Sequence, residues 1–175
     1  MPSSSMKTCD NHFERGMMDL TFRTEQGRFN YRVGAIIIHD GRFLLVRNPE
    51  APYLYFVGGR VQFDETAEEA VVRETEEETG IRLEIDRPLF FMEQFYDDEV
   101  TREHFHEISI YYLMKDSSEL ERLNCTSVTE RGISEETVWI PENRIRNYHI
   151  VPESIAEKLT ALPESLTQIV AIESR

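Results

Sequence analysis

The sequence is poor in cysteine and in long apolar runs. Its 175 residues include two cysteines, Cys9 and Cys125, which is too few for a disulfide framework. Reduced cysteines are typical of cytosolic proteins, so we predict a cytoplasmic location. No apolar run approaches the roughly 18 residues that a membrane-spanning helix needs. Residues 1–7 also lack the apolar stretch of a secretory signal.

Basic residues are scarce too. There are 19 Lys and Arg residues against 33 Asp and Glu residues, which gives a formal net charge of −14. Proteins that bind a nucleic acid polymer through its backbone need cations to displace counterions from the phosphates. Anionic membrane surfaces likewise attract basic segments. We therefore expect neither a nucleic acid polymer nor a membrane as a partner.

The chain has enough apolar residues for one folded domain. Hydrophobic residues make up 40% of the sequence, which is sufficient for a packed core. We find no internal repeat and no low-complexity linker, and the length is typical of a single domain. We expect a partly flexible leader over residues 1–20 and one domain over residues 21–175.

Strand patterns alternate with two helix patterns along this domain, which predicts an α/β (α+β) fold. Asp40 and Gly41 join two strand-like runs and predict a tight hairpin. Pro88 separates two other runs, and Pro152 opens the second helix pattern. The predicted strands are residues 31–38, 43–46, 53–57, 81–85, 89–96, 105–114 and 137–140, and the predicted helices are residues 66–79 and 152–162.

The first helix has clear end signals and an unusual face. Thr66 and Glu69 form a capping-box pattern at its start, and Gly80 follows its last residue. At 100° per residue, one stripe holds small apolar residues in the first half and carboxylates in the second half. The stripe consists of Ala67, Ala70, Val71, Glu74, Glu77 and Glu78.

The three aligned glutamates repel one another, and they lie near the helix C-terminus, where the helix dipole disfavours anions. A cation would offset both costs, and oxygen ligands of this kind suit Mg²⁺ or Mn²⁺. The alternative is a solvated acidic face, which we assign to the outward-pointing Glu68 and Glu76. Helix geometry by itself leaves both interpretations open for the stripe.

From Gly59 through Glu65, Arg73 and the helix glutamates to Gly80, the spacing of the residues resembles the Nudix box, Gly-x5-Glu-x7-Arg-Glu-U-x-Glu-Glu-x-Gly-U, where U is a bulky aliphatic residue. Thr75 departs from it at the first U position, and Asp64 stands where many members have glycine. Asp64 still tolerates the left-handed backbone of a turn. All seven fixed positions match, at Gly59, Glu65, Arg73, Glu74, Glu77, Glu78 and Gly80.

The resemblance implies a Nudix-type α/β/α sandwich with a mixed β-sheet. It also implies hydrolysis of a diphosphate linkage between a nucleoside and another moiety, by water attack on phosphorus. The alternatives are a non-catalytic Nudix module that binds a nucleotide or a protein, and an RNA-processing member, which the shortage of basic residues disfavours. Dimers are common in the family, so a homodimer is one expectation.

The resemblance also implies roles for individual residues. Magnesium, with Mn²⁺ as a substitute, would be bound by Glu74, Glu77, Glu78 and the backbone carbonyl of Gly58. Structural roles in the site fall to Gly59, Glu65, Arg73 and Gly80, with Arg73 and Glu65 forming a salt bridge. The general base would be Glu74 or a downstream glutamate.

Downstream of the box, Glu107 is our candidate for a catalytic carboxylate near the metals. It lies in a run with strong β character, and the alternative is a charge on an edge strand. Glu103 is a weaker rival. His104 and His106 share a strand face but lack a third ligand, so we predict no zinc site. Arg60, directly after the box glycine, is a candidate phosphate contact.

Overall fold

The computed structural model describes residues 18–98, 101–123, 126–128 and 134–172. Residues 1–17 of the predicted leader, including Cys9, lie outside these ranges, as does Cys125. The last part of the predicted leader contacts the domain. The N–H of Leu20 donates to the carbonyl of Val61 at 2.8 Å, and Asp19 forms a β-bridge with Gln62.

Strands dominate the described part of the chain, with one helix of 13 residues. The strands are β1 (Thr21–Thr24), β2 (Gly27–His39), β3 (Arg42–Arg47), β4 (Leu54–Tyr55), β5 (Val57–Arg60), β6 (Ile85–Asp97), β7 (His104–Met114), β8 (Thr126–Val128), β9 (Ser134–Pro141), β10 (Ile150–Val151) and β11 (Thr167–Ile172). The helices are α1 (Ala67–Thr79) and α2 (Glu153–Ala156), with 3₁₀ helices at Ser118–Arg122 and Glu142–Asn147.

Within the described residues these strands form one mixed sheet. Its main path runs β10-β4-β3-β2-β7-β6-β11, and β1 and β5 also pair with β2. The pairs β2–β7, β6–β11 and β4–β10 are parallel, while β2–β5 and β6–β7 are antiparallel. This mixed sheet with helices is the predicted α+β fold class.

Two hydrophobic clusters lie on opposite faces of the sheet. Val33 and Ala35 of β2 pack beneath Ala70 and Val71 of α1. On the other face Ile36 belongs to a second cluster, with Phe43, Leu45, Phe90 and Ile155. Because successive side chains of a strand point to opposite faces, the apolar run in β2 serves both clusters. None of the helices in the described ranges is long and apolar enough to cross a membrane.

The tight hairpin is confirmed. Asp40 and Gly41 have φ angles of 48° and 68°, and β2 and β3 pair directly on either side of them. Positive φ at both central residues is the requirement of the hairpin turn that the Asp-Gly pair favours.

Three details of the secondary structure differ from prediction. The predicted strand over residues 81–85 does not form before Ile85, and β6 continues through Pro88 because register shifts on either side accommodate the missing N–H. The strands β1, β8, β10 and β11 were not predicted. The helix predicted over residues 152–162 is α-helical only at Glu153–Ala156, because bonds such as Lys158 N–H to Ile155 C=O continue it as tighter turns.

Candidate functional site

The acidic helix α1 begins with the predicted capping box. The Thr66 hydroxyl accepts a hydrogen bond from the Glu69 N–H at 3.2 Å, and the Glu69 carboxylate accepts one from the Thr66 N–H at 2.9 Å. Gly80 ends the helix in the left-handed conformation, at a φ of 71°. Asp64 turns the preceding loop at a φ of 64°, as its tolerance of that conformation predicts. These local features fix where α1 starts and stops.

The two glycines of β5 allow close approaches, Gly59 to helix α1 and Gly58 to strand β2. A Cβ atom on Gly59 would overlap the carboxylate of Glu74, and one on Gly58 would overlap the carbonyl oxygen of Val33. Gly58 also has a φ of 148°, which side-chain-bearing residues rarely adopt. The missing side chain of Gly59 therefore lets the Glu74 carboxylate lie directly against the backbone of β5.

Arg73 holds the loop before the helix to the helix itself. Its Nε and Nη2 atoms donate to the two carboxylate oxygens of Glu65, at 2.7 and 3.0 Å. Nη2 also donates to the carbonyl of Arg60 at 3.0 Å, and Nη1 donates to Glu74 at 2.8 Å and Glu77 at 3.2 Å. The fork geometry of the guanidinium suits such paired contacts. We call Arg73, Glu65 and the Arg60 carbonyl the arginine clamp.

The clamp predicts a specific dependence of stability on pH. Hydrogen bonds from Arg73 hold the pKa of Glu65 below its usual value, although burial opposes them. A carboxyl group whose pKa is lower in the folded state contributes stability above its unfolded pKa, about 4.3, and loses that contribution as the pH falls through the folded value. We expect Glu65→Gln to lower the free energy of unfolding at pH 7 and to flatten its decline below about pH 4.3.

Urea unfolding between pH 3 and pH 7 would measure this effect. The exposed Glu119 provides a control, because Glu119→Gln removes a carboxylate outside the clamp. An acid limb with the same slope in Glu65→Gln and in the unmodified protein would contradict the prediction.

Glu74 and Glu78 are carboxylates in a desolvated setting. The side chain of Glu74 is 15% exposed, and burial raises its pKa against the opposing charge of Arg73. Burial also raises the pKa of Glu78 to about 8, and the charges of Glu74 and Glu135 act in the same direction. Glu78 Oε1 accepts from the Gly58 N–H at 3.1 Å, whereas its buried Oε2 has no hydrogen-bond partner among the described residues.

The carboxylate oxygens of these residues are the type of ligand that a hard divalent cation prefers. No three His, Cys, Asp or Glu side chains in the described ranges converge closely enough to hold a metal ion. Glu74 and Glu77 instead contact Arg73, and Glu78 contacts Gly58. The orphaned oxygen of Glu78 is nevertheless the kind of buried acceptor that a cation would satisfy.

Glu107 lies in a different environment from the helix glutamates. Its strand, β7, runs between β2 and β6, so the edge-strand alternative is wrong. Glu107 is 4% exposed and accepts hydrogen bonds from Asn30 Nδ2 at 3.2 Å, Gln94 Nε2 at 2.8 Å and Tyr96 Oη at 3.3 Å. Register pairing places it on the face of β2 opposite the one that α1 covers.

The remaining candidates have partners of their own. Arg60 Nη1 contacts Asp19 at 3.3 Å, and Glu103 forms an ion pair with Arg23 at 2.6 Å. His104 contacts Asp97 at 2.7 Å, and His106 contacts Glu93 at 3.0 Å. The two histidines therefore pair with separate carboxylates.

Sequence reasoning missed two features of this region. The Tyr55 hydroxyl donates to Glu135, whose charge acts on Glu78. Arg32 of β2 lies opposite Arg60 of β5, and the positive charge of Arg32 acts on Glu74 and Glu78. Neither residue belongs to a spaced motif, and the pairing register that gives them their neighbours is not visible in the sequence.

Together, the fold and the site define an α+β protein whose acidic helix packs on a glycine pair of a mixed sheet. A family model described as the NUDIX domain matches residues 28–159. The chain therefore belongs to the Nudix family, whose members generally use a divalent metal and act on small nucleotide-type substrates.

Individual relatives agree with this placement. The chain is 43% identical over 53 residues to a MutT-like protein of Streptomyces ambofaciens, and 42% identical over 57 residues to the CTP pyrophosphohydrolase of Escherichia coli. Each match covers 30% of this chain, and the two cover 34% and 42% of those proteins, well under two thirds. The crystal structure of a MutT NUDIX hydrolase from Burkholderia pseudomallei has 29% identity and a TM-score of 0.57, and the match covers 76% of this chain and 98% of that one.

Proposed function

We propose that this protein hydrolyses a diphosphate linkage in a nucleoside diphosphate bonded to another moiety, using Mg²⁺, with Mn²⁺ as a substitute. Glu74, Glu77, Glu78 and the carbonyl of Gly58 would hold the metal. The observation that carries the proposal is the buried Oε2 of Glu78, which has no partner among the described residues although two further carboxylates share its helix face. Outside a cation site, such a group would only destabilise the fold.

The metal, when bound, would screen the substrate's negative charge and activate a water for in-line attack on phosphorus. The chain's own residues supply position. Arg73 fixes Glu65 and Glu74, and Gly59, which has no side chain, sets how near Glu74 lies to β5. Glu74 is our candidate general base. Glu107 accepts three hydrogen bonds from neutral donors, an arrangement that suits positioning better than proton abstraction.

The local charge agrees with a metal-dependent site for an anionic substrate. Residues 64–78 contain eight acidic residues and one arginine, a net charge of −7, which is half that of the chain. A pyrophosphate group would be repelled from this segment unless cations neutralised it. The same acidity leads us to expect no nucleic acid polymer as a partner.

A substrate panel tests the proposal. The panel should contain nucleoside triphosphates, including CTP because of the relative named above, together with nucleotide sugars, dinucleoside polyphosphates and ADP-ribose. Each compound is assayed at mildly alkaline pH with Mg²⁺, with Mn²⁺ and with EDTA, and the products are identified by chromatography. We expect metal-dependent cleavage of at least one compound at its diphosphate linkage. Binding without cleavage across the panel would instead support a non-catalytic nucleotide-binding module.

We retain two further predictions, a cytoplasmic location and a homodimer. Light scattering coupled to size-exclusion chromatography would measure the assembly directly. A mass near 20.6 kDa would show a monomer and overturn the dimer prediction.

A further inference from the structure

The feature that carries a further inference is Arg32, which lies in the middle of β2. The register of β2 with β5 sets Arg32 opposite Arg60, and its register with β7 sets Arg32 opposite Ser109. Residues paired in this way share one face of the sheet. Arg32, Arg60 and Glu107 therefore face the same side, beside the glycine pair of β5.

Two arginines directly opposite each other on paired strands repel. The charge of Arg60 is partly offset by Asp19, at 3.3 Å. Arg32 is half-buried, and among the described residues its guanidinium donates no hydrogen bond and has no carboxylate at ion-pair distance. Other arginines of the domain do have carboxylate partners, among them Arg23, Arg47, Arg73, Arg82 and Arg87.

The nearby carboxylate Glu107 does not need the N–H groups of Arg32. Neutral donors on Asn30, Gln94 and Tyr96 already bond to both of its oxygens. Burial lowers the pKa of Arg32, but the surrounding negative groups, Glu107 foremost, together outweigh that effect and keep the guanidinium charged. The result is a charged fork whose donors remain available to an anion.

Arg32 also lies within electrostatic reach of the helix carboxylates. Its positive charge acts on both Glu74 and Glu78. An anion that bridged Arg32 and a cation on these glutamates would accept hydrogen bonds from the guanidinium and bind the cation at the same time. A diphosphate is such an anion, because its two phosphoryl groups carry separate sets of charged oxygens.

We infer that Arg32 binds a phosphate group of the substrate, beside the glycine pair of β5. This inference rests on the proposed function, since it assumes a diphosphate-containing substrate. The competing interpretation is that Arg32 serves only as a counter-charge for Glu107. The two differ in whether the loss of Arg32 weakens anion binding or stability alone.

The experiment uses methylenediphosphonate, a pyrophosphate analogue that cannot be hydrolysed, as a calorimetric probe with Mg²⁺ and the full chain. We expect Arg32→Met to weaken binding of this probe by about tenfold to a hundredfold, the loss typical of a hydrogen bond between charged groups. Arg32→Lys keeps the charge without the fork, so we expect a smaller loss, about threefold to tenfold. Arg144→Met is the matched control. Arg144 is exposed, and it lies two residues after Glu142, whose N–H donates to the carbonyl of Gly41 beyond the C-terminal end of β2.

The outcomes separate the inference from the proposed function. Arg32→Met should also raise KM for the best panel substrate by a similar factor, while urea unfolding checks that the variant is folded. If Arg32→Met does not fold, the Arg32→Lys result decides. Probe affinity within twofold of the unmodified protein in the folded variants, or no probe binding by the unmodified protein, would overturn the inference even if the panel shows turnover. Absence of turnover across the whole panel would overturn the proposed function instead.

Discussion

Replacing Glu77 with glutamine is expected to reduce turnover of the best panel substrate by about a thousandfold. The change removes one proposed metal ligand and its charge, and the loss of metal-based charge stabilisation at a reacting phosphoryl group is worth several kcal/mol. Glu77 is the most exposed of the three stripe glutamates, with 59% of its side chain accessible. The fold should therefore tolerate the substitution, and a loss of rate would report on chemistry.

Glu76→Gln is the matched control for this prediction. Glu76 is the neighbouring residue on the same helix, but it pairs at the surface with Arg82 at 2.8 Å. Initial rates at several Mg²⁺ concentrations, with Mn²⁺ affinity measured by calorimetry, would compare the two variants. A Glu77→Gln protein that kept near-normal rate and metal affinity would contradict the metal assignment.

Replacing Arg73 with methionine is expected to destabilise the domain by about 2–4 kcal/mol and also to remove most activity. The substitution leaves Glu65, whose side chain is 7% exposed, without its bidentate partner, and an uncompensated buried carboxylate is costly. It also frees the Arg60 carbonyl and the Glu74 carboxylate. The loop before α1 would then lose its attachment to the helix.

Arg73→Lys separates charge from geometry in this test. A lysine keeps the positive charge but cannot fork across Glu65 while also reaching Glu74. Urea unfolding would measure stability, and the initial rate under conditions where the protein stays folded would measure function. A lysine variant as stable and as active as the unmodified protein would show that the fork geometry is unimportant.

Local patterns predicted the helix and its ends well. Thr66, Glu69 and Gly80 act through contacts within a few residues, which sequence spacing reveals directly. The β11 strand was missed because its stabilising partner, β6, is 77 residues away in sequence, and its alternation is short. The second helix was predicted too long because apolar spacing cannot distinguish an α-helix from the tight turns that follow Ala156.

The residues of the candidate site also differ in whether local sequence spacing predicts them. The glutamates of α1 follow from the box spacing, and the structure places Glu74 and Glu78 against the glycine pair. The neighbours of Glu107 and the open guanidinium of Arg32 depend on the register among β2, β5 and β7. A shift of one residue would turn each side chain to the other face, so no local pattern predicts them.

The arginine clamp also bears on the order in which the molecule assembles. Its contacts join residues only 8 and 13 positions apart, whereas the hydrogen bond between Asn30 and Glu107 spans 77 positions. Closing a short loop costs less chain entropy than closing a long one, and local contacts form faster. The loop and helix that carry the glutamates thus form a unit of low contact order, able to acquire its shape before the central parallel strands find each other.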